Sequence, residues 1–105
     1  MTLTREEFNV LLMLYAASID GNVRKDEVEE ILDRTNPEVF KKVQKAFVKM
    51  SDMEVLELID EYKKQYITSE AEKTQVLDQL RAIMNVDNSV SPVENYLIQA
   101  LGRVL

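Results

Sequence analysis

Apolar residues recur along this chain at intervals of three and four, with no alternating run bounded by hairpin turns, so every element the pattern predicts is a helix. The starts are marked by capping boxes, in which a Ser or Thr accepts from a backbone amide and a Glu three residues later reaches back. Thr4 with Glu7, Ser51 with Glu54, Ser69 with Glu72 and Ser91 with Glu94 all have that spacing. Asn36 before Pro37 marks a fifth start, because Pro at the first helical position gives up no hydrogen bond. Leu3 with Phe8, Met50 with Val55, and Val23 with Val28 are spaced as hydrophobic staples. Six helices follow, over roughly 5–18, 25–34, 37–49, 52–66, 70–85 and 92–104.

The faces of these helices predict their packing. Phe8, Val10, Leu11, Leu12, Met13, Leu14 and Tyr15 leave the first helix almost no polar side, which places it at the centre of the core. The fifth carries Val76, Leu77, Leu80, Ile83 and Met84 on one stripe and leaves Lys73, Asp78 and Arg81 to solvent. Val28, Ile31 and Leu32 of the second helix, and Val93, Tyr96, Leu97, Ala100, Leu101 and Val104 of the sixth, would fold back on them. Between the two hairpins, the middle pair contributes Val39, Phe40, Val43 and Phe47, then Leu56, Ile59, Tyr62 and Tyr66. The expected fold is all-α: about six helices in one compact antiparallel domain over 1–105, two pseudo-twofold-related hairpins plus a middle pair.

The pseudo-symmetry rests on a repeat. Ala16-Ala17-Ser18-Ile19-Asp20-Gly21-Asn22-Val23-Arg24-Lys25-Asp26-Glu27 is echoed 67 residues later by Ile83-Met84-Asn85-Val86-Asp87-Asn88-Ser89-Val90-Ser91-Pro92-Val93-Glu94. In each, an aliphatic residue and an Asp meet a residue that tolerates positive φ, and a Val precedes a Glu at the same offset. These paired signatures resemble those of TerB-like domains, the helical domains associated with tellurite resistance, and are similar to the N-terminal region of the membrane-anchored DjlA co-chaperones. The resemblance covers nearly the whole chain. It implies an all-helical fold and an association with bacterial metal or oxyanion stress and membrane-linked complexes, and it implies no catalytic activity. Asn88 stands where the family pattern has a second Gly, and Arg24 stands where a Ser, Thr or Asp would cap the second helix.

Composition removes several classes of chemistry. The 105 residues, 46% hydrophobic and 30% charged, describe one ordinary globule rather than a disordered or membrane-spanning chain. The longest apolar stretch, Val10 to Ile19, is too short to cross a bilayer and lacks a basic flank, so the expected location is the cytoplasm. With no Cys and no His there is no disulfide, no thiolate nucleophile, no usual zinc site and no imidazole base. A net charge of -6 disfavours nucleic acid and favours cations or basic proteins as partners. No Gly-rich phosphate loop or nucleophile motif supports an enzyme, and no cofactor is expected beyond a divalent cation.

Two kinds of candidate site remain. If the repeats pack about a twofold axis, Asp20, Glu27, Asp87 and Glu94 would converge as a hard-oxygen site for calcium, magnesium or manganese. They do not form an EF-hand: with Gly21 at the loop's sixth position, the first position falls on Ala16, and in the second copy on Ile83. The plainer reading of the four is capping. Glu94 pairs with Ser91, the two Asp residues satisfy turn amides, and Glu27 complements the dipole of the second helix. The other candidate is a protein-docking surface, on the acidic face formed by Asp26, Glu29, Glu30 and Asp33 or in a groove between hairpins. Lys41, Lys42, Lys45 and Lys49 form a basic stripe on the third helix that reads as solvated surface. Met13, Met50, Met53 and Met84 read mostly as core filling. The sequence therefore leaves a non-catalytic interaction module and a cation-binding module side by side; it fixes neither the partner nor the oligomeric state.

Overall fold

Thr4 starts the first helix through its side chain. In the computed structural model, which describes residues 2–18 and 25–84, its backbone is extended and its hydroxyl accepts from the Glu7 amide at 3.2 Å, while Glu7 Oε1 accepts from the Thr4 amide at 2.8 Å. Both halves of the capping box are thus made, and helix α1 runs Arg5–Ala17. Helix α2 spans Lys25–Arg34 and closes with the Thr35 hydroxyl donating to the Ile31 carbonyl. Asn36 Oδ1 accepts from the Glu38 amide at 2.8 Å with Pro37 at the first position, and α3 spans Pro37–Phe47. Ser51 and Glu54 form the second complete capping box, opening α4, Asp52–Tyr66. At α5, Glu70–Met84, Ser69 Oγ accepts from the Glu72 amide, but the Glu72 carboxylate turns to the Thr68 hydroxyl and to Arg5. The five helices match the expected spans closely; the sixth, over 92–104, lies outside the described residues.

Helix α1 is the axis of the fold and packs against all four others. Phe8, Val10, Leu11, Leu12, Met13 and Leu14 are all buried, as a helix without a polar side requires. Around it the core takes Ile31 from α2, Phe40 and Val43 from α3, Val55 and Ile59 from α4, and Leu80 and Ile83 from α5. All described elements are helical, and the radius of gyration of 12.6 Å is that of a closely packed chain of this length. One face differs from expectation. The buried stripe of α4 is centred on Val55 and Ile59, with Tyr62 and Tyr66 beside them, which rotates Leu56 away from the core and leaves it exposed. Val55 is buried and Met50 half-buried against the core on either side of the Ser51 cap, as the staple spacing expects.

The chain start is tied to the far end of α4. The Tyr66 hydroxyl donates to the Leu3 carbonyl, and the Arg5 guanidinium lies 5.5 Å above the Tyr66 ring while donating to the Tyr66 carbonyl and to Glu72 Oε2. Phe8 packs its ring 5.5 Å from that of Tyr66. Helices α3 and α4 each lean on α1 and hardly at all on each other. The connection between them is short: the Lys49 and Met50 amides donate to the Ala46 and Phe47 carbonyls, and Ser51 starts the next helix at once. Splayed from this tight turn, the two helices leave an open groove between them.

Candidate functional site

The groove between α3 and α4 has a volume of about 480 Å³. Its α3 side is Ala46, Lys49 and Met50, and its α4 side is Glu54, Glu57, Leu58 and Glu61. Met50 and Leu58 are half-buried and rest on the core, so the floor is apolar and is held by the same packing that holds the fold. The α4 wall is acidic for a reason of helical spacing: residues three and four apart share a side, and Glu54, Glu57 and Glu61 follow that interval. Glu54 is already engaged, because its carboxylate accepts from the amide and hydroxyl of Ser51. Glu57 and Glu61, both exposed, have neither a hydrogen-bond partner nor an ion-pair partner among the described residues. Every charged residue three or four positions from Glu57, namely Glu54, Asp60 and Glu61, is itself acidic. Of these, Asp60 is bound by Lys63 Nζ at 3.0 Å, which leaves Glu54 and Glu61 as the like-charge neighbours on the groove side.

A second depression, lined by Thr4, Glu6, Glu7, Glu38, Val39 and Lys42, has a different character. Glu7 is buried at its base, and both carboxylate oxygens are engaged: Oε1 by the Thr4 amide and Oε2 by Lys42 Nζ at 2.8 Å. The hydrogen bond from Lys42, and after it that from Thr4, holds the carboxyl below its usual range. Beside it, Glu6 Oε1 accepts from the Asn36 amide. These two acids fasten the start of α1 to α3. The basic stripe on α3 is divided by the same contacts: Lys42 serves Glu7, Lys49 lines the groove, and Lys41 and Lys45 are exposed.

The residues singled out from sequence fare unevenly. Asp20, Asp87 and Glu94 lie outside the described residues. Glu27 is buried on the same side of α2 as Ile31, and its amide donates to Asp26 Oδ1 at 3.0 Å. Among the described residues, no three carboxylate, His or Cys side chains gather as a metal site. Of the acidic face on α2, Glu29 and Asp33 are exposed, Asp26 and Glu30 are half-buried, and Glu30 is bound by Arg34 Nε at 2.8 Å. The α3–α4 groove was not singled out from sequence. Its signal was present in the spacing of Glu54, Glu57 and Glu61 beside Leu58, without a Lys or Arg three or four positions from Glu57.

No family model, curated protein or solved structure matches the chain. Among the described residues, no helix is long and apolar enough to cross a membrane.

Proposed function

We propose that this chain is a non-catalytic interaction module whose partner seats in the groove between α3 and α4. The observation that carries the reading is an apolar floor of Ala46, Met50 and Leu58 under an acidic wall whose Glu57 and Glu61 have no partner among the described residues. Charged side chains around an apolar centre are the usual plan of a protein-docking patch. The repeated turn signatures support kinship with TerB-like domains, with the helix expected over 92–104 completing a second hairpin on α5 in a pseudo-twofold arrangement, and with a role in metal or oxyanion stress. A photo-reactive residue at position 57 should give a discrete cross-linked adduct in cells making the protein, lost on Ala46→Arg, while the same probe at Glu29 gives none. An adduct at position 29 alone would move the docking site to the acidic face of α2. Silence at both positions would sink the module reading.

The inward placement of Glu27 supports a second reading, a divalent-cation module built from Asp20, Glu27, Asp87 and Glu94. A cation held by those carboxylates at a hundred times its dissociation constant would add about 2.7 kcal/mol of stability. Thermal unfolding of chelator-treated protein with calcium, magnesium or manganese should then show a rise of several degrees, absent from the Asp20→Asn, Asp87→Asn double variant. No rise with any ion leaves the four carboxylates as caps and turn residues.

A further inference from the structure

Resting on the groove as the docking site, we infer that its occupant is a basic amphipathic helix supplied by another protein. The acidic wall spans two turns of α4, from Glu54 to Glu61, a run of about 10 Å along the helix axis. Lys or Arg side chains repeating at three and four residues on an incoming helix would meet that run in step, and the apolar residues between them would enter the floor. Met50 at the floor can adapt its unbranched side chain to such residues, as methionines do at helix-binding surfaces. Cations on the partner would also meet Glu57 and Glu61, whose carboxylates have no hydrogen-bond or ion-pair partner among the described residues. The chain's own basic stripe is a poor occupant. Lys41 and Lys45 have no apolar side chain on their outer face to enter the floor except Val48, and two copies of a chain of net charge -6 repel.

The test uses the full chain labelled at its methionine methyl groups and three peptides of about four helical turns. The peptides share one stripe of Leu and carry Lys, Gln or Glu at the remaining positions. The Leu/Lys helix should shift the Met50 methyl signal and bind on the order of tenfold more tightly than the Leu/Gln helix, as several partly exposed ion pairs together would give. Glu57→Lys with Glu61→Lys should abolish that preference, and Glu57→Gln with Glu61→Gln should reduce it. Glu29→Lys with Asp33→Lys on α2 should leave it within about twofold. Equal binding of the Leu/Lys and Leu/Gln helices, unaffected by either groove variant, would overturn the basic character of the occupant and leave the docking reading standing. Equal losses in the groove and α2 variants would show nonspecific attraction and overturn the proposal. A Met50 shift that follows protein concentration alone would make a second copy the occupant, against it. If no peptide moves Met50 and the probe at position 57 also captures nothing, the docking reading falls as well.

Discussion

Replacing Phe8 with Ala should remove about 3–5 kcal/mol of stability, the cost of deleting a buried aromatic side chain and leaving a cavity behind. Three features put Phe8 at the upper part of that range. It has no exposed surface, its ring sits against Tyr66 of α4, and it belongs to α1, which packs against all four other helices. A cavity there is bordered by separate helices, so no single side chain can move to fill it without shifting a whole element. Against a total stability of roughly 5–15 kcal/mol for a domain, such a loss leaves the fold marginal. Urea unfolding followed by circular dichroism should show a markedly lower midpoint for the variant with an unchanged slope. Met53→Ala, at a side chain 66% exposed, should stay within about 0.5 kcal/mol of the parent. A Phe8→Ala loss no larger than that of the Met53 control would show that α1 is not the centre of the core.

The second large effect belongs to Glu7, and it is pH-dependent. Glu7→Ala removes the returning half of a capping box and a carboxylate that anchors Lys42, which together should cost about 1–2 kcal/mol at neutral pH. The ion-pair share is modest because the Lys42 side chain is 67% exposed and can return to water. Glu7→Gln separates the two contributions, since an amide oxygen can still accept from Thr4 while the charge is gone. In the folded state the carboxyl is held below its ordinary value of 4.5, first by the Lys42 hydrogen bond and then by the Thr4 amide. The folded form therefore binds the proton less readily than the unfolded chain, so the charge contributes full stability above that ordinary value. It is lost as the pH falls through the lowered folded value. Unfolding experiments should find the Glu7→Gln deficit constant around neutrality and shrinking at acid pH, with the extra deficit of Glu7→Ala over Glu7→Gln persisting. A Glu7→Gln deficit that stayed constant into acid would mean that Lys42 does not hold the carboxylate.

Much of the fold was legible because the signals that mark helices act over three or four residues. The Thr4–Glu7 and Ser51–Glu54 boxes, the Asn36–Pro37 start and the apolar face of α1 all form within one or two turns of chain, and each appears where the spacing predicts it. The Ser69–Glu72 box is the informative exception. Its backbone half forms, but the Glu72 carboxylate is drawn to Thr68 and to Arg5, a residue 67 positions away. Leu56 shows the same competition on α4. Its periodicity suits a core position, yet the burial of Val55 and Ile59 in the core that α4 shares with α1 sets the helix's rotation and turns Leu56 outward.

The site was less legible, since it is made of what two helices leave open rather than of what either contains. Sequence placed Glu27 at the start of α2 and grouped Asp26, Glu29, Glu30 and Asp33 on one face, but burial of the first and pairing of Glu30 with Arg34 depend on neighbours. The repeat pointed to carboxylates at the turns, whereas those that line the groove, Glu54, Glu57 and Glu61, stand on α4. The sequence by itself determined the helical class, the starts of the helices and the central place of α1, because local hydrogen bonds and apolar periodicity specify those. Only the tertiary structure decided that Glu7 is gripped by Lys42, that the chain start is tied to Tyr66, and that α3 and α4 splay to expose Met50 and Leu58 beneath an acidic wall. Those features follow from the angle at which helices far apart in sequence meet, and that angle is set by how side chains from all of them fill the core together.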